Sequence, residues 1–180
     1  MANIKLFIAT SIDGYIARLD GSLDWLDDIP NPDHIDHGYH DFYGGIGTLF
    51  MGRKTYEAIQ NMDVDWPYEN ASTYILTRNT HYTAITPHTY VVNEDILGLV
   101  KDLRETEKKD IWLVGGGELV SMFMDLALID EMILSIIPVV LGSGIPLFAS
   151  DSKQVNFKLL DSRVFETGII NLHYVQDEEN

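Results

Sequence analysis

The chain has 180 residues, the length of one domain, and 46% of them are hydrophobic against 22% charged, a balance that allows a continuous core. Its 28 acidic residues face 12 basic ones, a formal net charge of −16, so no excess of cations exists to meet nucleic acid or an anionic membrane. Cysteine is absent, which excludes disulfides, thiolate metal sites and a cysteine nucleophile.

Ile4–Ala9 is an apolar run of strand length, and Asp13 interrupts the apolar character before a secretion signal is formed, so a cytoplasmic protein is expected. After a polar loop, His34–Tyr43 is expected as a helix. Thr48–Met51 is a short strand that runs into a helix at Arg53–Ile59, and Thr73–Thr77 and Tyr90–Val92 are further strands. Asn93 is placed to cap a helix over Glu94–Glu107, where Ile96, Leu97, Val100 and Leu103 recur at helical spacing. Ile111–Val114 is a strand, followed by three glycines and a helix from Glu118 to Leu126. Glu131–Val140 is a buried strand, and Phe157–Phe165 and Ile169–Val175 form an antiparallel hairpin around Gly168. Strands alternating with helices predict a single three-layer αβα domain with a mostly parallel central sheet and an antiparallel edge. The hairpin carries apolar residues on both faces, more than one sheet face needs, which predicts a homodimer.

Two segments lie at strand-to-helix junctions, where free backbone N–H groups favour an anion. In Met51-Gly52-Arg53-Lys54-Thr55-Tyr56-Glu57, glycine admits a close ligand and two cations follow; surface chemistry at a helix start is the competing reading. In Val114-Gly115-Gly116-Gly117-Glu118-Leu119, the glycines suit a pyrophosphate or a plain tight turn. Val120 stands where the usual dinucleotide fingerprint has its third glycine, and no Gly-Lys-Ser/Thr follows to make a P-loop. A third segment, Ile75-Leu76-Thr77-Arg78, ends a strand in a hydroxyl and a guanidinium.

Together with residues 9–17 (ATSIDGYIA) and 138–148 (PVVLGSGIPLF), these segments, in this order, resemble the dihydrofolate reductase superfamily. The resemblance is nearest to the reductase domain of the riboflavin-biosynthesis deaminase-reductase and its small stand-alone bacterial relatives. It implies a dihydrofolate-reductase-like fold and an NADPH-dependent reductase acting on a small heterocyclic or ribosyl-pyrimidine substrate. By the same resemblance Ala9, Asp13, Gly14 and Ile16 surround the nicotinamide, and Gly52, Arg53, Lys54 and Thr55 hold phosphates. Thr77 and Arg78 sit beside the adenosine 2′-phosphate, and Val114, Gly115, Gly116, Gly117, Glu118 and Leu119 frame the pyrophosphate, with a cis peptide between the first two glycines. Two arginines at matching positions of so acidic a chain favour NADPH over NADH.

Trp25, Asp36 and Leu147 are assigned to the substrate side, with simple packing against the loop as the competing reading of Trp25. Asp36 matches the pterin-binding carboxylate of dihydrofolate reductases, which assists protonation, although Asp33 and Asp41 compete for that position. The riboflavin branch lacks that carboxylate and reduces the ribose of a phosphorylated uracil intermediate. No metal is expected: His34, His37 and His40, three residues apart, drift around a helix and do not converge. A non-catalytic NADP(H)-binding or redox-sensing module is the competing class of function.

Overall fold

The computed structural model describes residues 1–62 and 64–177. In chain order the elements are β1 (Ile4–Ser11), β2 (Tyr15–Ala17), α1 (Asp24–Asp27), α2 (Tyr39–Gly44), β3 (Ile46–Gly52), α3 (Arg53–Gln60), β4 (Ser72–Leu76) and β5 (Thr89–Val92). There follow α4 (Ile96–Thr106), β6 (Asp110–Gly115), α5 (Gly117–Asp125), β7 (Glu131–Ile137), β8 (Ile145–Pro146), β9 (Phe157–Val164) and β10 (Ile170–Gln176).

Eight strands form one sheet in the order β5-β4-β3-β6-β1-β7-β10-β9. All neighbours from β5 to β7 run parallel, and β10 is antiparallel to both β7 and β9. Successive side chains of a strand point to opposite faces, and the three central strands use both. Ile4, Leu6, Phe50, Ile111 and Leu113 face α4 and α5 and join Val100, Leu103, Val120 and Phe123 in one core. Leu49, Met51, Ile75 and Trp112 face the other way and pack against Tyr56 of α3 and the aromatic side of α2. A strand apolar on both faces is what a sheet covered by two helical layers requires. Among the described residues, no helix is long and apolar enough to cross a membrane.

The structure differs from expectation in several places. The helix placed over His34–Tyr43 begins only at Tyr39, because His34 (φ 52°), His37 (φ 53°) and Gly38 (φ 84°) adopt left-handed conformations that no α-helix contains. The cap of α4 is Asp95, whose carboxylate accepts from Gly98 N–H at 3.2 Å, so Asn93 lies outside the helix. The strand from Glu131 ends at Ile137, before Pro138, which has no N–H to continue a ladder. A small second sheet pairs β2 with β8, two segments that sequence patterning left as loops.

Candidate cofactor and substrate site

β3 and β6 are adjacent and parallel, and each ends in glycine before a helix, α3 after Gly52 and α5 after Gly116. The two turns touch: a Cβ on Gly52 would lie 3.8 Å from the Gly115 carbonyl, and one on Gly116 would lie 3.5 Å from Thr55 Oγ1. Two helix N-termini with free N–H groups therefore open side by side, an arrangement suited to two linked phosphates. The Gly115–Gly116 peptide is cis, as the resemblance implies.

The three glycines of the second turn have separate reasons to be glycine. Gly115 has φ +125°, a conformation that side chains with a Cβ rarely adopt. Gly117 lies against the chain, where a Cβ would meet the Pro146 carbonyl at 2.5 Å. Gly116 has an ordinary φ of −75° and only normal contact with Thr55, so nothing in the protein's own packing demands glycine there. That spare space beside the α5 N-terminus fits an approaching phosphate.

The loop after β1 is clasped to the segment before β8. Asp13 accepts from Ser11 Oγ (2.6 Å) and from the N–H groups of Leu141 (3.1 Å) and Gly142 (2.7 Å). Leu147 N–H donates to the Gly14 carbonyl at 2.9 Å, and Ile12 N–H to Val139 at 2.9 Å. The Ser11 hydroxyl foremost, with those N–H groups, holds the exposed Asp13 carboxyl below its ordinary range. The side chain of Asp13 thus serves the loop, and Ile16 lies beside Gly117, whose added Cβ would stand 3.8 Å from its Cδ1.

Beside these turns, on the sheet face opposite α4 and α5, is a cleft of about 400 Å³. Its floor comprises Phe7, Ala9, Trp112, Ser135 and Ile137, and its walls come from residues 26–39 and Ile169. Ile8 connects the two features, since it lines the cleft and a Cβ on Gly115 would lie 3.5 Å from its Cδ1. Trp112 is fixed by an Nε1–H bond to the Phe7 carbonyl (3.2 Å) and by edge contacts with Tyr39 and Phe42. Flat aromatic walls with few polar groups suit a planar ligand.

Of the three competing carboxylates, only Asp36 lines the cleft. It accepts from the N–H of His40 (2.9 Å) and of Gly38 (3.0 Å), and these bonds, His40 first, hold its carboxyl below the ordinary value. A carboxylate so held is well suited to accept hydrogen bonds. The loop that carries it is tied to the sheet. Ser135 Oγ donates to Asn171 Oδ1 (2.7 Å), and Asn171 Nδ2 donates to the His37 carbonyl (2.7 Å). Asn31 braces the loop from within, bonding both the N–H (2.9 Å) and the carbonyl (2.8 Å) of Ile35. His37 contacts Thr167 Oγ1 at 2.9 Å, and burial lowers its pKa against the opposing pull of Asp36.

Several expected site residues stand elsewhere. Trp25 is buried with Ile137, Phe165 and Ile169 beneath the cleft, and its neighbour Leu26 supplies the wall in its place. Leu147 is buried in the α4–α5 core, fixed there by the clasp. Arg53 Nη1 donates to both carboxylate oxygens of Glu57 (2.9 and 3.0 Å), one turn further along α3, and the guanidinium lies over the Tyr82 ring. Thr77 accepts from Asn79 N–H at 3.1 Å, while the exposed Arg78 and Glu118 share a shallow surface with Ser121 and Asp125. Lys54 is exposed. Leu119 is buried and Val114 packs against the aromatic core, so these two build the turn from below. His34, His37 and His40 flank a bend and share no face, and among the described residues no group of three metal-ligating side chains converges. Sequence reasoning missed Ser135 and Asn171. Each is a polar residue within an apolar strand, and the strand register that pairs them was needed to give that signal meaning.

The strand order, the two apposed glycine turns and the adjoining cleft define a dihydrofolate-reductase-like α/β protein. The chain belongs to the RibD C-terminal domain family, whose model matches residues 2–171. It is 39% identical over 171 residues to YwjB of Bacillus subtilis (strain 168), covering 95% of this chain and 96% of that protein. A solved structure from Shewanella sp. PV-4, assigned to riboflavin biosynthesis, matches with a TM-score of 0.85 at 31% identity, covering 99% of this chain and 100% of that one. Dihydrofolate reductase from Enterococcus faecalis, in complex with NADP(H), matches with a TM-score of 0.67 over 98% of this chain and 97% of its own, and at 15% identity it bears on the fold alone. The chain is therefore a reductase-like domain of the RibD type.

Proposed function

We propose that this protein is an NADPH-dependent oxidoreductase that reduces a small pyrimidine- or pteridine-type heterocycle. The observation that carries the reading is Gly116, a glycine that its own backbone and neighbours do not require, facing the start of α3 across the space between two helix N-termini. In this reading the N–H groups of residues 52–55 and 116–119 receive the pyrophosphate, and Arg53, Lys54, Thr77 and Arg78 supply the region of the 2′-phosphate. Ala9 and the clasped residues 14–16 form the nicotinamide side, next to the cleft. NADPH supplies the hydride when bound. The aromatic cleft orients the heterocycle and excludes water, and Asp36 accepts its N–H groups. The same reading makes the protein a cytoplasmic homodimer.

The test is cofactor preference followed by turnover. NADPH should bind at least tenfold tighter than NADH in a tryptophan-fluorescence titration, since a charge-assisted phosphate contact contributes about 1.5–3 kcal/mol. Equal affinities would remove the case for the arginines. NADPH oxidation on addition of pterins or aminopyrimidines then separates an enzyme from a binding module, which would bind and never turn over.

A further inference from the structure

The cleft is acidic, and the cations of this chain stand outside it. Among the described residues Asp36 is its only formally charged lining residue, and neither lysine nor arginine contributes to its wall. Arg18 is committed to Asp24 at 2.6 Å, and Lys5 bridges Asp110 (3.0 Å) and Glu131 (3.1 Å) near the opposite end of β1. Strand register brings one arginine towards the cleft. Ala9, Ser135, Asn171 and Arg163 lie in one row across β1, β7, β10 and β9, and directly paired residues share a face. Asn171 is spent on the His37 loop, however, and the Arg163 guanidinium rests 4.8 Å from the centroid of the Phe165 ring. That ring in turn stands edge-on to His37, a wall residue, at 4.9 Å, so the guanidinium stacks on Phe165 and does not line the cleft.

From this distribution we infer that the cleft takes an unphosphorylated nitrogen heterocycle, as a base or nucleoside whose N–H donors meet Asp36, and rejects the 5′-phosphorylated form. The inference rests on the proposed reductase function and narrows its substrate, away from the phosphorylated uracil that resemblance to the riboflavin branch implies. A phosphate dianion entering this cleft meets a fixed carboxylate and no counter-charge, in a protein of net charge −16. Like charges at such a site oppose each other, and partial removal from water makes the opposition stronger. Rejection by unmatched charge discriminates more sharply than the loss of an apolar contact. The clasp, by contrast, shows how this chain treats an acid it keeps: Asp13 is surrounded by donors.

The test uses two compounds that differ only by the phosphate, 5-amino-6-(ribosylamino)uracil and its 5′-phosphate, with pterin as a third probe. Binding to the protein alone is measured by fluorescence of the tryptophan at the cleft, so the result does not depend on cofactor binding or turnover. The unphosphorylated riboside should bind at least tenfold tighter than its phosphate, and the gap should narrow as salt is raised. Asp36→Asn, whose single amide oxygen can keep one of the two loop N–H bonds, should weaken the riboside and pterin and lift the exclusion of the phosphate. Equal or tighter binding of the phosphate by the wild-type protein would overturn the inference, as would no binding of either unphosphorylated probe. Failure of NADPH to bind would instead count against the reductase reading and leave the cleft result standing on its own.

Discussion

Alanine at Gly116 and at Gly117 should have opposite effects, although the positions are neighbours. At Gly117 the new Cβ falls 2.5 Å from the Pro146 carbonyl, a backbone atom held by the β2–β8 pairing and by the Leu147–Gly14 hydrogen bond. The clasp must shift to admit it, and overpacking of that kind costs about 1–3 kcal/mol. For a domain of this size each kcal/mol lowers Tm by roughly 2–4 °C, so Gly117→Ala should melt roughly 2–12 °C lower. At Gly116 the backbone angles suit alanine and the Cβ makes one ordinary contact, at 3.5 Å with Thr55 Oγ1. Its Tm should stay within about 2 °C of wild type, since a substitution that strains nothing changes stability by about 0.5 kcal/mol or less. The methyl group would nonetheless stand where a phosphate must approach the α5 N-terminus. Loss of one charge-assisted hydrogen bond there, about 1.5–3 kcal/mol, weakens NADPH roughly 10- to 150-fold. Differential scanning fluorimetry and a fluorescence titration on the same two samples measure both effects. If Gly116→Ala melts far lower while its folded fraction binds NADPH normally, the glycine is structural and the phosphate cradle does not exist.

Leu159, Leu160 and Val164 are 54%, 58% and 73% exposed on the edge strand β9, so the protein should be a dimer by light scattering at micromolar concentration, and Leu160→Lys should shift it towards monomer. A wild-type monomer would contradict this. Stability should also depend on pH through the polar cluster at the start of β7. Burial pushes the Glu131 carboxyl up, but hydrogen bonds from His173 and Lys5 outweigh it and leave the pKa below the ordinary 4.5. A carboxyl depressed by folding adds stability above its unfolded pKa and loses it as pH falls through the folded value, so wild-type Tm should drop on the acid side more steeply than that of Glu131→Gln. Parallel acid limbs for the two proteins would exclude that role.

The fold was legible because its signals are local. Apolar runs on both faces of β1, β3 and β6 announce a covered parallel sheet, and each glycine turn marks the end of a strand. The two glycine turns of the candidate cofactor site were legible for the same reason, since residues 52–55 and 115–119 are continuous segments. The substrate half was not, because the cleft is assembled from strands far apart in sequence and from a loop whose shape comes from positive φ angles. Trp25 and Leu147 show the difficulty. Large apolar residues near a site motif are equally suited to wall it or to support it, and burial beneath the clasp and the cleft decided for support. Asp33, Asp36 and Asp41 could not be separated by a helical rule, since Asp33 and Asp36 precede α2 and only Asp41 lies in it. Two left-handed histidines and Gly38 turn the loop so that Asp36 caps its own bend and lines the cleft. The tie that holds the bend in place, from Ser135 through Asn171 to the His37 carbonyl, spans 36 residues from strand to strand and 134 from strand to loop. Asp36 therefore depends for its position on a strand pairing formed near the end of the chain. A change at Asn171 should disturb the carboxylate without touching any residue that a linear motif would have named.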